Sequence, residues 1–242
     1  MIKKQKKVWF IGCIKAKAVM SMFFAIAIFC FTIFLSSKTE FVASPANKAT
    51  IVIDAGHGLP DGGAIGKYTN VYESELNLIY AKNLKSQLIK YGFGVVMTRN
   101  SKDGIFDKGA KNLKKSDMKN RKNIIDKSSP DMIVSIHMNS FPLESSKGAQ
   151  VFYKSGNDIG MALAKSIQSQ LTLLLANTKK QAKQGDYYIV NCSDVPAVLI
   201  ECGFLSNKEE ELLLQNKSYQ TKFCYAVVCG IIAFYSQKGS GV

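Results

Sequence analysis

Residues 49–58 read ATIVIDAGHG and residues 130–139 read PDMIVSIHMN. Each is an apolar run of strand length; the first enters a glycine-rich loop and the second is opened by a proline. Uninterrupted apolar runs bounded by turn residues are the pattern of strands buried on both faces of a sheet. His57 and His137 are the only two histidines in the chain. Both fall at the C-terminal end of such a run, the edge at which open α/β sheets bind their ligands. Two imidazoles at that edge point to a shared metal site, because neutral imidazole is a good ligand for zinc.

Outward from these runs, the chain alternates strand and helix patterns. Leu76, Tyr80, Leu84 and Leu88 recur at helical spacing from Glu73 to Tyr91, and Gly92 ends the helix. FGVVMTR (93–99) is the next strand. A polar, lysine-rich stretch runs on to Asp117, and a short helix is expected around 121–127. GAQVFYK (148–154) reads as a strand, and Ile159, Leu163, Ile167, Leu171 and Leu174 mark a helix followed by polar NTKKQAKQG. DYYIVN (186–191) and PAVLIE (196–201) are expected as two further strands separated by a CSDV turn. Ser206 and Asn207, with Glu209 and Glu210 three residues on, resemble a capping box. Tyr219, Phe223, Val227, Ile231 and Phe234 stripe a C-terminal helix. This order predicts a single α/β domain with a mainly parallel or mixed central sheet and helices on both faces.

The 242 residues, 47% hydrophobic and 21% charged, suit one domain with an appendage and exclude disordered and collagen-like classes. Of the net charge of +14, residues 1–40 carry +6 through seven lysines and one acid, which leaves +8 on 41–242. The lysines precede an uncharged run, Ala18–Leu35. Its 18 residues would rise about 27 Å as a helix, against roughly 30 Å of hydrocarbon. An uncleaved signal anchor is the favoured reading and a cleaved signal peptide the alternative. Both leave the lysines cytoplasmic and export the domain. The expected organisation is a basic tail and membrane anchor over 1–40, a linker over 41–49 and the folded domain over 50–237. Cys192, Cys202, Cys224 and Cys229 sit in apolar surroundings and are expected as packed free thiols. The basic surface suits anionic wall polymers, whereas nucleic acid is not an expected partner, since no aromatic-basic motif is present.

A catalytic zinc takes three protein ligands and leaves a position for water. Asp54, Asp61, Glu73, Glu75 and Glu201 are the candidates for a carboxylate beside the histidines. Glu73 shares a helix face with Leu76 and Tyr80, whereas Glu75 lies about 200° round and faces solvent. A helix-dipole role for Glu73 is the competing reading. Asp54 could instead orient a zinc-bound histidine. Glu201 ends the apolar run PAVLIE; it is a general base with a pKa raised by burial, or an exposed strand end.

The stretches IVIDAGHGLPDGGAIG, ESELNL, VVMTR, RKNIIDKSSPDMIVSIHMNS, GAQVFY and PAVLIECGFLSN, in that order, resemble the zinc-dependent N-acetylmuramoyl-L-alanine amidases of the Amidase_3 family over about 50–235. Ala55, Leu59 and Ser74 depart from the usual Pro, Gly and Lys and remove no ligand. The resemblance implies one zinc held by His57, Glu73 and His137, with Glu201 as general acid and base toward a zinc-activated water. It implies peptidoglycan as substrate, cut between the lactyl group of N-acetylmuramic acid and L-Ala of the stem peptide. Asn139 is a candidate substrate hydrogen-bond donor, with loop capping as its rival role. GLPDGGAIG, SSKGAQVFY and NTKKQAK resemble the sporulation type, which serves muramic-δ-lactam formation in spore cortex; a vegetative cell-separation amidase is the alternative. A zinc carboxypeptidase cutting within the stem peptide and a non-catalytic wall-binding protein are the readings outside this activity. The protein activator is left open.

Overall fold

The structure, a computed structural model, describes residues 49–239. The proposed anchor and most of the linker lie outside these residues. Among the described residues no helix is long and apolar enough to cross a membrane.

The two opening runs form β1 (Thr50–Ala55) and β3 (Met132–Asn139), parallel neighbours in register from Ile51 beside Met132 to Ala55 beside Ile136. β2 (Gly94–Met97) pairs parallel with β1, and β6 (Ala197–Phe204) pairs parallel with β3. β4 (Gln150–Tyr153) runs antiparallel to β6, and the two-residue β5 (Lys183–Gln184) lies parallel to β4. The sheet order is β2-β1-β3-β6-β4-β5, so the sheet is mixed and the expected α/β class holds.

Side chains alternate across a strand, and here the alternation sorts the sheet into two unequal faces. Ile51, Ile53 and Ala55 of β1, Val134 and Ile136 of β3, and Val198, Ile200 and Cys202 of β6 share one large cluster. That cluster packs on α1 (Glu73–Lys90), α3 (Asp158–Leu175) and α6 (Lys217–Gly239). Leu76, Leu84 and Leu88 of α1 are buried there, each stabilising the fold by about 1.5–3 kcal/mol relative to an exposed position. α6 crosses α3 closely: a Cβ on Gly230 would lie 2.5 Å from Ile167 Cα. The opposite face is thinner, with Val52, Ile133, Ala197 and Leu199 covered by Ile125, Ile189 and Val190. These come from α2 (Leu113–Ser128) and the single-turn α4 (Tyr188–Asn191). A short α5 (Lys208–Leu214) precedes α6.

Three local expectations are corrected. α2 begins at Leu113 rather than near Arg121, and the lysine-rich stretch is therefore partly helical. Its buried residues are Ser116, Asp117, Arg121 and Ile125, so no apolar stripe announces it; Asn112 caps it by accepting from Lys115 N at 2.9 Å. DYYIVN is not a strand. Tyr188–Asn191 make one helical turn that buries Ile189 and Val190, while β4 holds the position beside β6. The capping box is only half formed: Asn207 accepts from Glu210 N, but the Glu210 carboxylate accepts from Gly148 N and Phe204 N. Ser206 Oγ accepts from Phe141 N instead. The thiols of Cys202 and Cys224 are buried and free.

Polar residues also lie on the thinner face. Asp54 of β1 accepts from Thr98 Oγ1, Ser135 Oγ and Arg121 Nη1 at 2.8, 2.6 and 2.6 Å, all buried. Arg121 also binds Asp117 at 2.5 Å. Burial pushes the Asp54 carboxyl up, but Arg121 and Ser135 outweigh it and hold the pKa at about 2, below the ordinary 3.8. A folded-state value below the unfolded one means the ionised group stabilises above pH 4, and that stability is lost as pH falls from about 4 to 2. The contribution is about 2 kcal/mol. Asp54→Asn is expected to destabilise the domain by about 3 kcal/mol at pH 7, since it leaves the buried Arg121 with one carboxylate. Urea denaturation of the chelated protein at pH 7, 4 and 3 checks this: the gap between wild type and variant should shrink toward the acid end.

Candidate active site

His57 leaves β1 on the loop that begins at Gly56, with a left-handed backbone (φ 58°). Two buried arginines hold that loop. Arg99 donates to Ala55 O, Gly56 O, Ser74 O and Ser101 O at 2.8–2.9 Å. Arg121 donates to Ala55 O and His57 O at 2.7 and 2.5 Å. Asp61 Oδ2 lies 3.0 Å from His57 Nδ1, so Nδ1–H donates to it, and Nε2 is the ring nitrogen that faces Glu73 in the cavity.

Glu73 opens α1 without acting as a cap. The first amides of the helix are instead satisfied by loop carbonyls, Glu73 N by Ala64 O and Ser74 N by Gly62 O. The carboxylate is thereby left to the cavity, where it is 4% exposed. Its Oε1 lies 2.9 Å from His137 Nδ1 and 3.3 Å from His57 Nε2, and also accepts from Met138 N and Asn77 Nδ2. Its Oε2 accepts from Ala64 N at 2.9 Å. Burial pushes the Glu73 carboxyl up, yet the two imidazoles hold it well below the usual range.

Two glycines leave room for this arrangement. A Cβ on Gly56 would stand 2.3 Å from His137 Cε1 and Nε2. One on Gly63, which has φ +69°, would stand 2.5 Å from Glu73 Oε2.

Glu201 sits beside His137 in the β3–β6 register, on the same sheet face. It is 8% exposed, and its Oε2 is buried without a hydrogen-bond partner. Burial raises its pKa to about 7, while the two imidazoles pull the other way and Glu73 adds to the rise. Asn139 ends β3 and lines the same cavity, its carbonyl accepting from Leu205 N. The cavity has a volume of 510 Å³ and contains His57, Glu73, His137 and Glu201 together.

His57, Glu73 and His137 thus offer one donor atom each, all within 4.8 Å of one another. Zinc bonds of about 2.1 Å in a tetrahedron place donors about 3.4 Å apart, and the Glu73–histidine separations suit that geometry. Glu75 is exposed, as its helix position requires. Asp54 does not orient a histidine; its partners are Arg121, Ser135 and Thr98, and the role expected of it falls to Asp61. Arg99, Asn77, Gly56 and Gly63 went unread in the sequence. The signal available for Arg99 was a charged residue closing the otherwise apolar stretch FGVVMTR (93–99).

The Amidase_3 model, described as N-acetylmuramoyl-L-alanine amidase, matches residues 51–233. The germination-specific N-acetylmuramoyl-L-alanine amidase of Bacillus subtilis (strain 168) is 36% identical over 200 residues, covering 81% of this chain and 83% of that protein. The CwlD amidase from Clostridioides difficile, solved in complex with the GerS lipoprotein, superposes with a TM-score of 0.76 at 34% identity, over 78% of this chain and 99% of that one. An N-acetylmuramoyl-L-alanine amidase from Clostridium difficile 630 gives 0.72 at 31% identity, over 81% and 100%. With the match running from the first core strand into the last helix, the chain belongs to the Amidase_3 family and is a peptidoglycan N-acetylmuramoyl-L-alanine amidase.

Proposed function

We propose that His57, Glu73 and His137 hold one zinc ion and that Glu201 carries the proton as the lactyl–L-Ala amide is hydrolysed. The observation that carries this reading is the unpartnered, buried Oε2 of Glu201 in the cavity where the three donors converge. A buried polar atom without a partner costs about 1–3 kcal/mol, and a substrate or water hydrogen bond recovers that cost.

When bound, zinc would act as a Lewis acid toward water and the amide carbonyl. The chain's own residues do the rest. Glu73 is fixed by Ala64 N, Met138 N and Asn77, which leaves it little freedom to leave the cavity. Asp61 sets the tautomer and tilt of His57. Glu201 takes a proton from the attacking water and returns it to the L-Ala nitrogen as the C–N bond breaks, leaving a free lactyl carboxylate and a free amine. A pKa near 7 suits a group that both accepts and donates. Asn139 offers its side-chain amide to the substrate from the end of β3.

The germination-specific name of the Bacillus subtilis relative supports a role in spore cortex, removing stem peptides ahead of muramic-δ-lactam formation. The GerS complex of the Clostridioides difficile CwlD amidase supports a lipoprotein partner. The lysine-rich, apolar start of the chain supports an extracytoplasmic domain anchored through residues 1–40.

Glu201→Gln is expected to keep about one zinc per domain while turnover on purified peptidoglycan falls roughly 10²- to 10⁴-fold; His57→Ala or His137→Ala should lose metal and activity together. Metal analysis and murein digestion of the same samples check both, and a Glu201→Gln protein without zinc would make Glu201 a ligand. Gly63→Ala is expected to weaken zinc binding at least tenfold in a chelator competition, because its Cβ displaces Glu73. A deletion strain is expected to form spores depleted of muramic-δ-lactam; normal lactam content would move the protein to vegetative wall turnover.

A further inference from the structure

The cavity that holds the metal donors is also lined by Lys114, from the first turn of α2. The second cation lining it, Arg121, is fully buried and spent on Asp54, Asp117 and backbone carbonyls. Lys114 differs on each count. It is exposed, and among the described residues no ion pair or side-chain hydrogen bond engages its ammonium; its charge is felt by Asp61, which is itself bound to His57 and Gly63 N. Lys108, Lys111, Lys115 and Lys119, close to it in sequence, are also exposed and likewise make no ion pair among the described residues. Among the described residues Lys114 is therefore the one lysine or arginine lining the cavity whose charge is not already paired.

We propose that Lys114 is the specificity-determining residue that reads a free carboxylate on the peptide half of the substrate, next to the residue whose nitrogen is released. This deepens the amidase reading and rests on it. The glycan half is neutral when N-acetylated. A stem peptide that continues through a side-chain carboxyl at its second residue leaves an α-carboxylate free there. That group lies about 7 Å along the chain from the scissile amide, close enough to enter the same cavity. An ammonium on a flexible four-carbon stem suits such a target, since it acts as a point charge without demanding bidentate geometry. The lysines close to Lys114 in sequence raise the local concentration of anionic substrate, while Lys114 alone of them lines the cavity and can discriminate.

The test uses two peptidoglycan preparations that differ at one group, the second stem residue carrying a free α-carboxylate or its amide. The wild-type domain is expected to cleave the carboxylate form with roughly fivefold higher kcat/KM, through KM, as an exposed charge pair allows. The preference should fade in high salt. Lys114→Gln should close the gap between the two substrates, and Lys114→Arg should keep it. Lys165→Gln, an exposed lysine on α3, is the control that should also keep it. A Lys114→Gln protein that retains the full preference, or that loses rate equally on both forms, overturns the assignment; in the second case the charge serves wall-polymer attraction. A wild type that cleaves both forms equally overturns it as well. A wild type that cleaves neither form sinks the amidase reading instead, so the two failures are distinguishable.

Discussion

Two buried guanidinium groups hold the loop on which the site is built. Where β1 ends, the carbonyls of Ala55, Gly56 and His57 accept from side chains, and a buried carbonyl without a donor is costly. Arg99 and Arg121 supply those donors, and Arg99 ties the same loop to Ser74, the second residue of α1. The left-handed backbone of His57 and the position of Glu73 are thus set by one connected set of hydrogen bonds. Arg121 is balanced by Asp54 and Asp117. Among the described residues the hydrogen-bond partners of Arg99 are all carbonyls, and burial together with the neighbouring Arg121 charge brings its pKa down to about 10. It remains a cation at neutral pH, held by the dipoles of four peptide groups.

Much of this could be read from residue order because the chemistry sits where apolar runs stop. His57 lies two residues past β1 and His137 two before the end of β3, Glu201 closes the apolar run PAVLIE within β6, and the helical stripe of α1 puts Glu73 on the buried side. The elements that escaped reading share a different physics. α2 buries an aspartate, an arginine and a serine along with one isoleucine, so hydrophobic periodicity does not reveal it. α4 is a single turn in which Tyr188, Ile189 and Val190 have strand propensity, yet the turn buries Ile189 and Val190 against the sheet. Asp61 and Asp54 could not be told apart by position alone, since both flank His57. Their roles depend on which face of the sheet each side chain reaches and on Arg121, 67 residues from Asp54 in sequence.

The thinner face of the sheet makes room for the site. Alternation places Asp54, Ser135, His137 and Glu201 on the side that carries only α2 and α4, while the larger cluster under α1, α3 and α6 supplies most of the apolar burial. Stability and chemistry are therefore separated by strand parity. A one-residue slip of β3 or β6 would exchange them, sending a charged group into the larger core.

The register of β3 and β6 has a mechanical consequence. His137 and Glu201 are backbone partners on adjacent parallel strands, at the last regular pair before the β3–β6 register shifts, so sheet pairing sets the spacing of their Cα atoms. His57 and Glu73 stand on a loop and at a helix start, whose positions depend on side-chain donors. The site thus joins two kinds of support: sheet pairing under His137 and Glu201, and buried guanidinium donors under His57 and Glu73, so that losing one arginine would loosen half of the site while leaving the sheet intact.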